Sequence, residues 1–126
     1  MLQNKLLKLL LWKDRMMPTN KLHNETKILQ VNDVYNLSIA TFVHKCRKND
    51  TLQIFKDHFT DRGAVHNRNT RNRHLLQIPR FKRGIAFSST RSKGVDIWNK
   101  LQISVTKQSY NSFRKTSYNN YIKLYN

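Results

Sequence analysis

The feature that most constrains the fold is a stripe of apolar side chains in residues 33–46. The stripe recurs every three or four residues, the spacing of one face of an α-helix, and its members are Tyr35, Ile39, Phe42, Val43 and Cys46. Asn32 has a side chain that can cap the first turn, and Asp33 places a carboxylate near the positive end of the helix dipole. We therefore predict a helix that begins after Asn32 and buries one face.

The rest of the chain divides into shorter elements. Helical spacing and end signals predict helices at 2–13, from Pro18 to about Leu29, at 52–59, at 95–101, and from the cap Ser109 onwards. Residues 60–74 have no periodicity and are expected to be a loop, whereas 74–79 and 85–89 are expected to be short strands. Only three glycines and two prolines are present, too few for a sandwich with many tight turns. The predicted fold class is mainly α, with a short β element at about residues 74–90.

The expected organisation is one domain with two unlike segments. Residues 1–60 form a helical segment, and residues 61–126 form a basic segment with short strands and a C-terminal helix. The leucines of the first helix are expected to pack against another element. The predicted core consists of Leu6, Leu9, Leu10, Ile28, Leu29, Tyr35, Ile39, Phe42, Val43, Phe55, Phe59, Ile97, Trp98, Leu101, Phe113 and Tyr121.

Positive charge is the second strong feature. The net charge is +17, from 24 basic and 7 acidic residues. Residues 62–126 hold 14 of the basic residues and one of the acidic residues. Charge of this kind indicates the partner rather than the fold, and the usual partners are nucleic acid, anionic membrane and acidic protein. The partner surface is therefore expected in the second segment.

Arginine dominates the most basic stretch. Residues 62–95 contain nine Lys or Arg, seven of them Arg, and no acidic residue. The planar guanidinium fork suits phosphate oxygens, and Phe81, Phe87 and Trp98 lie among these charges, a pattern that single-stranded nucleic-acid binding uses. The alternatives are that the rings belong to the core and the arginines to a solvated surface, or that the charge meets an acidic protein or a membrane. We predict sequence-tolerant RNA or DNA binding by Arg68, Arg71, Arg73, Arg80, Lys82, Arg83, Arg91 and Lys93.

Catalytic and metal-binding patterns are not found in the sequence. The seven acidic residues are dispersed, whereas two-metal phosphoryl chemistry needs clustered carboxylates. His44 and Cys46 are the only close His/Cys pair, and no second cysteine can complete a zinc site. Cys46 falls on the apolar stripe, which favours a buried structural thiol over a nucleophile. We predict no catalytic residue, no metal and no cofactor.

The sequence also indicates the cellular compartment in which the chain is expected. A single cysteine excludes an internal disulfide and favours a reducing, intracellular compartment, nuclear or cytoplasmic. No apolar run approaches the roughly 20 residues of a membrane span, so no membrane partner is expected. The run Leu6–Trp12 is short, is interrupted by Lys8 and lacks a small-residue cleavage site, which argues against a signal peptide. A mitochondrial presequence is the lesser alternative, and Asp14 counts against it.

Six short segments occur in a characteristic order along the chain. They are PTN (18–20), DVYNLSIATFVHK (33–45), NTR (69–71), QIPR (77–80), GVDIWNKL (94–101) and SFRK (112–115). Together they resemble the C-terminal region of reverse transcriptases from non-LTR, LINE-type retrotransposons, which follows the polymerase domain. The resemblance covers roughly residues 10–125.

The chain departs from that pattern in several places. The family's tyrosine before NTR is replaced here, since His66 and Asn67 precede Arg68 and the segment reads HNRNTR. Gln102 stands where a proline follows WNxL. The paired aspartates of the polymerase and an endonuclease are absent. The resemblance implies thumb-like helices that grip the backbone of a template duplex or target DNA, without catalysis, and the polymerase domain as a second partner. The alternative is a non-functional fragment of a truncated element that packs against that domain and alone exposes its Leu-rich face, residues 2–12.

Overall fold

The computed structural model describes residues 2–80, 84 and 89–126, and these residues form a mainly helical fold. The predicted mainly α class is therefore confirmed. Within the described ranges there are eight helices: α1 (Leu2–Leu10), α2 (Thr19–Thr26), α3 (Val31–Arg47), α4 (Gln53–Lys56), α5 (Arg62–His66), α6 (Thr90–Lys100), α7 (Ile103–Thr106) and α8 (Tyr110–Lys123).

Helix α3 lies at the centre of the fold and packs against α6 and α8. It begins after Gln30, two residues before the expected cap, and Asp33 lies in its first turn as predicted. The main core cluster combines α3 with residues from both chain segments, and its buried members are Ile39, Ala40, Val43, Cys46, Phe59, Leu76, Val95, Trp98, Val105 and Phe113.

Gly94 sets the distance between α3 and α6. A Cβ atom at this position would lie 2.9 Å from Val43 Cγ2 and 3.0 Å from Phe59 Cε1, closer than side chains normally approach. The absence of a side chain thus lets α6 lie directly on α3. The helix begins at Thr90 rather than near Val95, because the Ser89 hydroxyl accepts a hydrogen bond from the Ser92 N–H (3.3 Å) and caps its first turn.

Polar side chains attach the α1–α2 pair to the rest of the fold. The Gln3 amide donates to the Leu29 carbonyl (2.9 Å), and its oxygen accepts from the Val31 N–H (3.1 Å). His23 is fully buried, with Nδ1 2.8 Å from the Ile28 carbonyl oxygen and Nε2 2.8 Å from Asn4 Oδ1. A second cluster lies beside this pair, with Leu29, Ile122 and Tyr125 buried and with Leu37, Tyr118 and Tyr121 half-buried.

Five members of the predicted core are exposed instead. They are Leu6, Leu9, Leu10, Ile28 and Tyr35. Helix α1 turns the face with Asn4 and Leu7 towards the protein, so its other leucines point to solvent. The remaining members are correct: six are buried (Leu29, Ile39, Val43, Phe59, Trp98, Phe113) and five are half-buried against a core cluster (Phe42, Phe55, Ile97, Leu101, Tyr121).

Several element boundaries also differ from the predictions. The first helix ends at Leu10 and the second at Thr26, and only Gln53–Lys56 of the expected 52–59 helix is helical. The expected loop at 60–74 contains the single turn of α5, and α7 was not expected. The C-terminal helix begins directly after its cap Ser109, as predicted. No helix of the described residues combines the length and the apolar character that crossing a bilayer requires.

The predicted β element is not confirmed. In the described part of 74–90, the only β pairing is an isolated antiparallel bridge between Asp61 and Leu76. The Gln77 N–H donates to the Thr60 carbonyl (2.8 Å), so residues 75–77 pair with the chain before α5 rather than with the expected second strand. Residues 85–88 of that strand, and residues 81–83, lie outside the described residues.

Candidate nucleic-acid interface

The chain between α5 and Leu76 forms a closed loop that carries three of the predicted arginines. We call residues 67–75 the basic loop. It leaves α5 at Asn67, whose backbone is left-handed (φ 46°), a conformation that asparagine tolerates better than most residues. It returns to the start of α5, where the Gly63 N–H donates to the Arg73 carbonyl (3.0 Å) and the Arg62 N–H donates to the Leu75 carbonyl (2.9 Å). These bonds hold the C-terminal part of the loop against the start of α5.

The C-terminal end of the basic loop is held by Leu76 and Asn99. The Leu76 side chain is fully buried in the main core. Its N–H donates to Asn99 Oδ1 (2.8 Å), and Asn99 Nδ2 donates to its carbonyl (3.2 Å). One side chain of α6 therefore satisfies both backbone groups of Leu76. Asn99 belongs to the GVDIWNKL segment, and this contact gives that part of the motif a structural role.

The chain that enters α5, ahead of the basic loop, is held by an ion pair. Arg47 Nη2 lies 2.9 Å from Asp61 Oδ1, and both side chains are about one-third exposed. Arg47 Nη1 also donates to the Phe59 carbonyl (3.5 Å). Exposed ion pairs contribute little stability. This one nevertheless links the residue before α5 to the C-terminal end of α3. The segment formed by α5 and the basic loop is thus attached to α3 where it begins and to α6 where it ends.

An open cavity of about 780 Å³ lies between α5 and the basic loop. Its lining side chains are Arg62, Val65, His66, Arg68, Thr70, Arg71 and Asn72. Three guanidinium groups, an imidazole, a hydroxyl and an amide therefore surround one space, and no carboxylate of the described residues lines it. This set of donors matches the oxygens of a phosphodiester, which Arg contacts through charge-assisted hydrogen bonds.

The structure brings together only some of the predicted binding residues. Arg68 and Arg71 line the cavity. Arg73 is exposed next to it, and its Nη1 donates to Asn69 Oδ1 (2.9 Å) within the basic loop. Arg80 is exposed just beyond the loop. Lys82 and Arg83 lie outside the described residues.

Arg91 and Lys93 lie elsewhere on α6. The Arg91 Nε–H donates to the His58 carbonyl (3.3 Å). The Lys93 ammonium lies 5.1 Å from the centre of the Tyr35 ring, a cation–π arrangement. Lys93 also lines a separate groove between α3, α6 and α8. Neither side chain lines the cavity beside the basic loop.

The aromatic residues of the basic stretch do not form a stacking surface in the described residues. Trp98 is buried, with its ring centre 5.7 Å from that of Phe113. The alternative interpretation, which placed it in the core, is the correct one. Phe81 and Phe87 lie outside the described residues.

Sequence reasoning missed Arg62, His66, Thr70 and Asn72 as lining residues. Arg62 belongs to the stretch of nine basic residues. It lies near the start of the predicted loop, and nothing in the sequence there indicated that it lines a cavity. His66 lines the cavity because it lies at the end of α5. This single turn of helix has no periodic apolar pattern from which it could be predicted. The mixture of arginine with asparagine and threonine in HNRNTRNR is the one feature that could have indicated a polar cavity.

The thiol of Cys46 lies in the core. Burial raises the pKa of this thiol above its ordinary value. The side chain therefore stays protonated and packs as a small apolar group. Among the described residues, no three His, Cys, Asp or Glu side chains are grouped so that they could hold a metal ion.

Comparisons with known proteins add no further identification. No family model matches the chain, and no curated protein or solved structure matches it either. The resemblance to LINE-type reverse transcriptases therefore rests on the six quoted segments alone.

Proposed function

We propose that the chain binds RNA or DNA through the basic loop, without strong preference for sequence and without catalysis. The observation that carries the proposal is the convergence of Arg62, Arg68 and Arg71 on one cavity without a carboxylate in its lining. The excess of basic residues in 62–126 supports it, as does the resemblance to the post-polymerase region of a reverse transcriptase. The second partner, a polymerase domain, and the nuclear or cytoplasmic compartment follow from the same interpretation, as does the expectation of no membrane partner.

The geometry favours contacts to phosphate over contacts to bases. Guanidinium groups bind phosphate oxygens through paired hydrogen bonds, and Thr70 and Asn72 supply further polar contacts at the same cavity. Contacts to phosphate fix the position of the protein on the nucleic acid but do not discriminate between base sequences. Because backbone hydrogen bonds close the basic loop, little additional ordering is needed when nucleic acid binds.

The salt dependence of binding tests these contacts individually. For about five phosphate contacts on duplex DNA, log K is expected to fall with log salt with a slope of about −4.5. Arg71→Ala and Arg73→Ala are each expected to reduce the slope by about one unit, and so is Arg68→Ala. The measurement is fluorescence anisotropy across a salt series. A residue whose removal leaves the slope unchanged makes no phosphate contact.

Lys123→Ala is the matched control, since it removes the same charge from an exposed position at the end of α8. We expect its slope to equal that of the unmodified chain. If Lys123→Ala changes the slope as much as the arginine variants do, binding follows net charge alone and the basic loop is not the site.

A second candidate is a structural fragment without independent activity. The observation that favours it is the exposure of the leucines on α1, at 84% for Leu2 and 73% for Leu9. Such a fragment would pack this face against a polymerase domain and would aggregate or become molten when alone. It would bind any polyanion weakly and without fixed stoichiometry.

A further inference from the structure

A second concave surface combines an exposed ring with positive charge. An open cavity of about 800 Å³ lies at the end of α1, lined by Asn4, Lys5, Lys8, Leu9, Trp12, Lys13 and Arg15. Trp12 is 95% exposed, so its ring is available to a ligand. Four cationic side chains share this surface with a single large aromatic ring.

The backbone of Trp12 is unusual for such a large residue. Its φ is 51°, in the left-handed region. The Lys13 N–H donates to the Lys8 carbonyl (2.9 Å), and the Trp12 N–H donates to the Leu9 carbonyl (3.4 Å). This is the Schellman arrangement that ends many helices, and the left-handed position is usually glycine. Neither the turn nor the core requires a tryptophan here, which points to a role in binding.

Two of the four cationic side chains make defined contacts. The Lys8 ammonium donates to the Arg15 carbonyl (2.8 Å) and so closes the turn that follows α1. The Lys13 ammonium lies 2.9 Å from Glu25 Oε2, and the hydrogen bond from Lys13 lowers the pKa of that carboxyl group. Lys5 and Arg15 complete the lining. Glu25 and Asp14, which lies between Lys13 and Arg15, offset part of this charge, and the four cations leave a net positive charge.

We propose that this surface binds single-stranded RNA or DNA, with a base stacked on Trp12 and the phosphates beside Lys5, Lys8 and Arg15. Stacking on an aromatic ring combined with nearby positive charge is how proteins hold single strands without reading their sequence. A base inside a duplex cannot present its face to Trp12, so the surface selects unpaired strands. The inference extends the proposed function but rests on residues 4–15 rather than on the basic loop.

An anionic membrane is the competing occupant, because Trp12 and the exposed leucines of α1 also suit a lipid interface. The lining of the cavity favours nucleic acid. Among the described lining residues, Leu9 is the only leucine. The Asn4 amide and four cationic side chains make up most of the rest of the lining. Leu2, Leu6 and Leu10 do not line it.

Tryptophan emission tests the proposal, since the chain has two tryptophans and Trp98 is 7% exposed. The full chain is titrated with oligouridylate and with an RNA duplex of equal length, and binding is followed by anisotropy of the labelled RNA. We expect the single strand to quench the emission and the duplex to leave it nearly unchanged. Trp12→Leu should abolish the quenching and weaken single-strand affinity about fivefold, the lower end of one base stack. Trp12→Phe should also abolish quenching yet retain most of the affinity.

Two outcomes would overturn this inference while leaving the basic loop as a site. One is single-strand binding by anisotropy with unchanged emission and with equal affinity in Trp12→Leu. The other is no quenching by RNA together with a blue shift on vesicles of phosphatidylcholine and phosphatidylserine, which would assign the surface to a membrane. Absence of binding by anisotropy to these RNAs and to DNA strands of the same length, single and duplex, would overturn both proposals. We expect the quenching to persist in Arg68→Ala and Arg71→Ala, which would show that the Trp12 surface binds independently of the basic loop.

Discussion

At the scale of single residues, the Tyr125 hydroxyl joins the C-terminus to the start of α3. It accepts a hydrogen bond from the Gln30 N–H (3.0 Å) and donates one to the Asp33 carboxylate. Burial, and then the bond to Asp33, raises the pKa of Tyr125 to about 12. Burial also raises the pKa of the neighbouring Tyr121. Both tyrosines are therefore held neutral in the folded protein.

A loss of stability at alkaline pH follows from Tyr125. Its pKa is about 10 when unfolded and about 12 when folded, so its contribution is fully present below pH ~10 and is lost as the pH rises towards ~12. We expect the free energy of unfolding, measured by urea titration, to fall by roughly 2 kcal/mol across this window. Tyr125→Phe should show a smaller fall. An equal fall in both proteins would contradict the assignment.

At the scale of elements, the anchoring of the basic loop depends on α6. Asn99→Ala removes both partners of the Leu76 backbone, and buried polar groups without partners each cost roughly 1–3 kcal/mol. We expect lower stability in urea and weaker nucleic-acid binding, because the loop loses its attachment to α6. Asn119→Ala is the control, an exposed substitution on α8 that should change stability by less than about 0.5 kcal/mol. Unchanged binding in Asn99→Ala would show that the anchor does not position the loop.

The elements with strong local signals could be predicted from sequence. Helices α3 and α8 were expected because periodic apolar residues and capping signals agree there. Helices α5 and α7 each span about one turn, and such short helices depend on tertiary contacts that periodicity does not report. In the described residues 74–79, an isolated bridge takes the place of the first predicted strand, because Leu76 pairs with Asp61 and with the Asn99 side chain.

The leucines of α1 show the limit of pattern reading. An amphipathic pattern identifies an apolar face but does not say whether this chain covers it. Gln3 and Asn4 make the hydrogen bonds that orient α1 against Leu29, Val31 and His23. The orientation of this helix therefore depends on polar side chains, which a hydrophobic pattern does not reveal. The same limit applied to the candidate site. Composition identified the basic stretch, but only the fold separates Arg68 and Arg71 from Arg91 and Lys93.

At the scale of the whole molecule, the two chain segments share one core. Ile39 and Val43 of the first segment are buried with Trp98 and Phe113 of the second. The segment formed by α5 and the basic loop is attached to α3 through Asp61, before α5, and to α6 through Leu76, after the loop. Its geometry therefore depends on the entire fold, and binding experiments require the full chain.

The central claim is that the folded chain binds nucleic acid through a defined surface rather than by charge alone. The most direct test is fluorescence anisotropy against single-stranded RNA, single-stranded DNA and duplex of equal length, at about 0.15 M salt, with heparin as competitor and circular dichroism to verify folding. We predict saturable submicromolar binding by a folded protein, with one form of nucleic acid preferred over the others and over heparin. Binding that disappears at this salt, ignores the form of the ligand and is matched by heparin would contradict the account, and would identify the chain as an inactive fragment.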